Sequence, residues 1–155
     1  MYGVGSIINA KNIIFKTNGK QNRKRLDHAY KGGRPCLVIC ETTDKIYFLP
    51  ISGYREKEFA NKIRLSANIS NKPSGVNIGD IICKDVAYYK ELNFLDEREL
   101  YDILIKFVNY QENIKKDEFY DSIAENIKAK IEELRLILNE KKSNKVRSIK
   151  SKKNG

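Results

Sequence analysis

Two short apolar runs separated by a polar turn constrain the fold of this chain more than any other feature. The runs are residues 35–40 and 46–51, and residues 41–45 between them read Glu-Thr-Thr-Asp-Lys. Runs of β-branched, leucine and aromatic residues on both sides of such a turn predict a β-hairpin. Neither run alternates with polar residues, so we expect both faces of both strands to be covered. The hairpin therefore predicts two central strands of a small barrel or strongly curved sheet.

Polar side chains stand where this hairpin opens. Arg34 enters the first strand, and Ser52 and Arg55 follow the second. Because the start of one strand and the end of the next lie side by side in an antiparallel pair, two guanidinium groups and a hydroxyl can converge there.

The remaining pattern predicts an α+β fold. Short strands are indicated at residues 4–8, 13–15, 63–69 and 79–89, and 71–75 is a turn. Asp96, with Glu99 three residues later, predicts a helix start, followed by Leu100, Ile103, Leu104, Phe107 and Val108 at helical spacing. A second helix carries its apolar stripe on Phe119, Ile123, Ile127, Ile131, Leu134 and Leu138. We expect one domain over 1–140, with a β core at about 3–90 and a helical region at about 95–140.

The charge is concentrated in two basic segments. Of the net +10, residues 11–34 carry eight Lys or Arg against one Asp, and residues 141–155 carry seven against no acid. Residues 91–140 instead carry thirteen acids against seven bases. Such polarity favours a polyanionic partner, with nucleic acid the first candidate. The 141–155 tail has few apolar residues, so we expect it to be disordered when free.

The segment before Arg34 is too polar for a core and too long for a tight turn. Loops of this length are usually functional or disordered. Cations interleaved with a stacking ring suit contact with single-stranded RNA, although a solvated loop is the plainer alternative. The candidate RNA-binding residues here and after the hairpin are Lys20, Arg23, Lys24, Arg25, Tyr30, Lys31, Tyr54 and Lys57.

Cysteine usage predicts neither disulfides nor a metal site. Cys36, Cys40 and Cys83 are an odd number set in apolar runs, as expected for reduced core thiols in a cytoplasmic protein. A single histidine adds too few ligands for a metal centre. No run reaches the roughly 18 apolar residues of a membrane span, and no signal-peptide pattern opens the chain. We expect no cofactor, no metal and no membrane partner.

Two motifs resemble those of the MazF/Kid family of toxin ribonucleases. They are Gly32-Gly33-Arg34-Pro35-Cys36-Leu37-Val38-Ile39 and Pro50-Ile51-Ser52, and the resemblance covers roughly residues 3–90. It implies a small curved antiparallel β-barrel with C-terminal helices packed on it, and active-site roles for Arg34 and Ser52. The long basic loop and the added helical region look more like the ToxN, CptN and TenpN toxins of type III toxin–antitoxin systems. That likeness implies inhibition by a folded RNA antitoxin, which the toxin processes from a repeat precursor.

Metal-free RNA cleavage has requirements that these residues can meet. The substrate's own 2′-hydroxyl attacks the adjacent phosphorus, so a proton must leave it and another must reach the departing 5′-oxygen. His28 is the natural acid or base, and Arg34 and Arg55 are fixed donors for the charged phosphoryl oxygens. Ser52 can bind the phosphate or orient the 2′-hydroxyl, and Tyr30 and Lys31 are weaker candidates for the same pocket.

Each candidate also has an ordinary structural explanation. Arg34 can pair with a carboxylate, Ser52 can cap a turn, and His28 and Arg55 can be loop and surface residues.

The sequence thus predicts a sequence-specific, metal-independent endoribonuclease toxin in the cytoplasm. It gives 2′,3′-cyclic phosphate ends on cellular or phage RNA and forms a hetero-oligomer with its RNA antitoxin. The alternatives are a non-catalytic RNA-binding module and a MazF-type enzyme inhibited by a protein.

Overall fold

A computed structural model describes residues 2–11, 16–17, 20–21, 33–54, 61–69 and 71–154. These residues form nine strands and two helices. The strands are β1 (Ser6–Ala10), β2 (Lys16–Thr17), β3 (Lys20–Gln21), β4 (Arg34–Glu41), β5 (Lys45–Gly53), β6 (Lys62–Arg64), β7 (Ser74–Asn77), β8 (Ile82–Asp85) and β9 (Lys90–Phe94), and the helices are α1 (Glu97–Asn113) and α2 (Tyr120–Asn154).

Seven strands make one antiparallel sheet in the order β6-β7-β5-β4-β1-β9, with β8 also paired to β5. The long strand β5 has two neighbours on one edge, because its start pairs with β8 and its last three residues pair with β7. The predicted α+β class is confirmed. Over the described strands the sheet is open, with β6 and β9 at its ends, so the expected closed barrel is not confirmed.

The hairpin prediction is confirmed by β4 and β5, which pair antiparallel at the centre of the sheet. Both of their faces are buried, as expected. One face, here called the helix-covered face, packs Ile7, Leu37 and Leu49 with the helices. The opposite face packs Ile8, Cys36 and Phe48 in a second cluster under the rings of Tyr2 and Tyr89.

The helix start at Asp96 is also confirmed. The Asp96 carboxylate accepts a hydrogen bond from the backbone N–H of Glu99 at 2.8 Å, which satisfies one unpaired donor of the first turn. The Glu99 carboxylate binds the Ser66 backbone N–H and hydroxyl, both at 2.7 Å. Glu99 therefore joins α1 to the chain after β6.

The two apolar stripes predicted for the helices face the helix-covered side of the sheet. Their fully buried members, joined by Tyr120 at the start of α2, are Leu100, Ile103, Leu104, Phe107, Ile123, Ile127 and Leu134. Val108, Phe119 and Ile131 are partly buried and pack against the same cluster. Both helices are therefore held to the sheet by the residues whose spacing predicted them.

One buried amide fixes the chain around the helix connection. Gln111 donates from Nε2 to the Ile78 carbonyl at 2.9 Å, and its Oε1 accepts from the Asp117 backbone N–H at 2.7 Å. Its side chain thereby satisfies two backbone groups that lie far apart in sequence.

Several boundaries differ from the sequence-based predictions. Where a strand was expected at 63–69 the structure has the shorter β6, and where one was expected at 79–89 it has the shorter β8. Strand β9 was not predicted from the sequence. Residues 13–15 lie outside the described residues. The tail, which we expect to be disordered when free, is helical in this structure, where α2 runs from Tyr120 to Asn154. Residues 141–154 contain no Gly or Pro, and their Lys and Arg are good helix formers.

Neither described helix combines the length and apolar character that crossing a membrane requires.

Candidate functional site

A line of paired residues crosses the sheet where β4 begins and β5 ends. Ser52 on β5 pairs with Gly75 on β7, and Gly75 pairs with Arg64 on β6. On the other side, Arg34 on β4 pairs with Ala10 on β1. The β4–β5 pairing ends with Cys36 opposite Pro50, and Arg34 and Ser52 each lie two residues beyond that pair on their own strands. We call Arg34, Ser52, Gly75 and Arg64 the cationic row.

The row lies on the face of the sheet away from the helices. One residue along each strand, Val76 on β7 lies opposite both Ile51 on β5 and Ile63 on β6. All three side chains pack in the core under the helices. Since successive side chains of a strand point to opposite faces, Ser52 and Arg64 point the other way. Arg34 shares that direction because its partner Ala10 packs in the second cluster.

Gly33 controls how the chain enters β4 and so where Arg34 begins. Its φ is +91°, a left-handed conformation that side chains rarely adopt. A Cβ at this position would lie 2.5 Å from the amide of Asn9. A larger residue before Arg34 would therefore strain the backbone and displace the Asn9 side chain.

Lys62 reaches the row from β6. A Cβ on Gly75 would lie 2.6 Å from Cγ of Lys62, so the lysine stem passes directly over the glycine. The ammonium then donates a hydrogen bond to the Gly53 carbonyl at 3.1 Å. The missing side chain at Gly75 thus lets a cation cross β7 and arrive beside Ser52.

Tyr54 forms the end of the site beyond β5. Its backbone N–H donates to the Pro73 carbonyl at 2.8 Å, which holds the residue against the turn before β7. The guanidinium carbon of Arg64 lies 5.7 Å from the centre of its ring, a cation–π distance. A half-buried ring and an exposed guanidinium therefore stand side by side.

The strand segments around the row contribute three cations. Residues 8–10, 33–38, 50–54, 61–64 and 74–77 contain Arg34, Lys62 and Arg64 and no Asp or Glu. Beside Arg34, burial raises the pKa of the Cys36 thiol far above its usual range, and the charges of Arg34 and Lys84 oppose that rise only in part. Cys36 is therefore a neutral thiol, and the charge of the site belongs to its cations.

The structure brings together only some of the residues singled out from the sequence. Arg34, Ser52 and Tyr54 lie on or beside the row, with Arg34 and Ser52 both half-buried. The backbone of Lys20 belongs to β3. Outside the described residues lie the proposed catalytic residues His28 and Arg55 and the proposed RNA-binding residues Arg23, Lys24, Arg25, Tyr30, Lys31 and Lys57.

Lys62 and Arg64 were missed by the sequence reasoning. The signal available was the alternation of the Lys62-Ile63-Arg64 run, which puts both cations on one face. Their position beside Ser52 depends on β7 lying between β5 and β6, and a pattern within one strand does not contain that information.

Within the ranges described, no group of three or more His, Cys, Asp or Glu side chains is arranged to hold a metal ion. No protein-family model matches the sequence, and no curated protein matches it significantly.

Proposed function

We propose that this protein is a metal-independent endoribonuclease toxin with a MazF/Kid-like barrel fold, of the kind found in type III toxin–antitoxin systems. The observation that supports it best is the placement of Arg34 and Ser52 on one face of adjacent strands. Lys62 and Arg64 from β6 add two further cations on that face. A polyanion fits such a surface, and a guanidinium beside a hydroxyl suits a phosphodiester.

In the proposed reaction the 2′-oxygen of the substrate forms a bond to the adjacent phosphorus, and the bond from phosphorus to the 5′-oxygen breaks. The proton of the 2′-hydroxyl goes to a base, and the 5′-oxygen takes a proton from an acid. The products are a 2′,3′-cyclic phosphate and a 5′-hydroxyl. Arg34 stabilises the charge on the non-bridging oxygens, Ser52 orients the 2′-hydroxyl or the phosphate, and His28 is the proposed proton carrier, with Arg55 as a second donor.

The test is incubation of purified protein with RNA in excess EDTA, followed by analysis of the ends. We expect cleavage with 2′,3′-cyclic phosphate ends. Arg34→Ala should lower the cleavage rate by about 100-fold or more, as loss of one oxyanion donor does, and Ser52→Ala should lower it less. Lys106→Ala removes one charge from an exposed position on α1 and serves as the control.

A folded Arg34→Ala protein that cleaves at the unmodified rate contradicts the assignment. RNA binding without cleavage by the unmodified protein favours the alternative of a non-catalytic RNA-binding module.

We also propose that a folded RNA antitoxin inhibits the enzyme in the cytoplasm. Substrate and inhibitor are both polyanions, so a cationic site admits either. An RNA that binds there without aligning its next phosphate for in-line attack is held and not cut. The protein produced from its native operon should therefore carry a discrete RNA with the ends that the enzyme makes. Purification with a protein partner and no RNA assigns it to the protein-inhibited branch.

A further inference from the structure

The β6 side of the cationic row has features of a ligand site that the proposed cleavage chemistry does not use. Arg64 and Lys62 both point to the same face as Ser52, and Tyr54 lies between them and the end of β5. Two spacings between neighbouring strands separate the Cα atoms of Ser52 and Arg64, about 10 Å. A single-stranded RNA that runs along the row can therefore contact Ser52 and Arg64 with successive parts of its backbone.

We propose that Lys62, Arg64 and Tyr54 form a subsite for the nucleotide flanking the scissile phosphodiester of single-stranded RNA. This subsite rests on the function proposed above and extends it to the mode of substrate binding. Lys62 and Arg64 bind the flanking phosphate, and the ring of Tyr54 stacks on the flanking base. Gly75 leaves the space between Ser52 and Arg64 in which the stem of Lys62 lies.

The chemistry of the three side chains favours a single strand over a duplex. A base stacks on a side-chain ring only when it is unstacked from its own neighbours. The Arg64 guanidinium beside Tyr54 offers a second flat surface and a charge at the same point. Lys62 is held by the Gly53 carbonyl with its stem against Gly75, so its ammonium is positioned before the ligand arrives.

Binding can be measured separately from cleavage. The probe is a fluorescein-labelled 2′-O-methyl oligoribonucleotide of mixed sequence, which lacks the attacking hydroxyl and cannot be cut. Anisotropy titrations at several salt concentrations give the Kd and its salt dependence. The variants are Arg64→Ala, Lys62→Met and Tyr54→Ala, with Lys106→Ala on α1 as the charge-matched control. Lys62→Met keeps the stem over Gly75, and Tyr54→Leu replaces Tyr54→Ala where thermal melting shows that the alanine variant is unfolded.

We expect Arg64→Ala to raise the Kd about tenfold or more and to lower the slope of log K against log salt by about 0.7. Lys62→Met should lower the slope by a similar amount. Tyr54→Ala should weaken binding about tenfold with an unchanged slope, because stacking releases no counterion. In cleavage assays Arg64→Ala should raise KM and leave kcat within a few-fold.

The outcomes separate the subsite from the nuclease. If the Arg64 and Tyr54 variants bind like the Lys106→Ala control, or if the unmodified protein does not bind the probe at low salt, the subsite is wrong, whatever the cleavage assay shows. If those variants lose binding as expected and the protein cuts no RNA, the subsite stands and the nuclease assignment fails.

Discussion

At the scale of single residues, two glycines determine where the cations of the site lie. Gly75 lies in the cationic row with Lys62 directly over it and the ring of Tyr54 close by. Gly33 permits the entry into β4 by its left-handed conformation and its closeness to Asn9. The positions of Arg34 and Lys62 therefore both depend on a neighbouring glycine.

Adding one methyl group at Gly75 tests this arrangement. In Gly75→Ala the new Cβ would lie 2.6 Å from Cγ of Lys62 and 3.0 Å from Cδ2 of Tyr54, so both side chains must move. We expect a loss of about 1–3 kcal/mol in the free energy of unfolding, as for overpacking elsewhere. Urea denaturation measures it.

The matched control is Gly53→Ala, next in the chain to Ser52. A Cβ there meets nothing within 4 Å, so its free energy of unfolding should change by less than about 0.5 kcal/mol. Equal stability of the two variants would show that Lys62 does not pass over Gly75.

At the scale of secondary structure elements, α1 and α2 are joined by a polar contact at their connected ends. The Tyr120 hydroxyl donates to Glu112 Oε2 at 2.6 Å, and the Lys128 ammonium approaches the same oxygen at 2.8 Å. The pKa of Glu112 lies below its usual value, mainly because of the hydrogen bond from Lys128 and next because of the one from Tyr120. The pKa of the Tyr120 hydroxyl lies far above its usual value, mainly because of burial and next because of its hydrogen bond to Glu112.

This contact predicts a pH-dependent contribution to stability. Because the folded-state pKa of Glu112 is lowered, its contribution is full above the unfolded value of 4.5 and is lost as the pH falls through the folded value. Glu112→Gln should therefore lower Tm at pH 7, and lower it by less at about pH 3, because the stabilised charge is lost as the pH falls through the folded-state pKa. Glu140→Gln, an exposed change of the same charge on α2, is the control. The same Tm difference at both pH values would assign the effect to packing.

Elements defined by local patterns were predictable from the sequence, and elements defined by distant pairing were not. The β4–β5 hairpin and the cap at Asp96 depend on residues close in sequence, so their patterns sufficed. Strand β9 carries exposed side chains throughout, and its pairing with β1 gives no alternation to detect. Lys62 and Arg64 join Ser52 only through β7, a non-local arrangement. Arg34 and Ser52 were predicted as neighbours because both belong to the hairpin itself.

At the scale of the whole molecule, charge and burial are separated along α2. Among the side chains described along α2, up to residue 145, the last fully buried one is Leu134. Lys141 makes an exposed ion pair with Glu97 at 3.0 Å. Residues 142–155 then contain six Lys or Arg and no acid. Like charges three apart, such as Lys142 and Lys145, oppose a helix, and a bound polyanion removes that repulsion. The end of α2 thus carries a high density of positive charge.

Deleting residues 142–155 should therefore separate stability from RNA affinity. We expect the free energy of unfolding to change by less than about 0.5 kcal/mol, because only exposed positions are lost up to Lys145 and the ion pair of Lys141 is kept. RNA binding should weaken, and its salt slope should fall by about 0.7 for each single-strand phosphate contact removed. A full-length variant with the six cations changed to Gln keeps the chain and removes the charge, and it should match the deletion. If the deletion unfolds the protein while the Gln variant stays folded, the end of α2 packs on the core, and its role is structural. If both keep the unmodified salt slope, these cations do not contact RNA, and the cationic row with its subsite carries the binding alone.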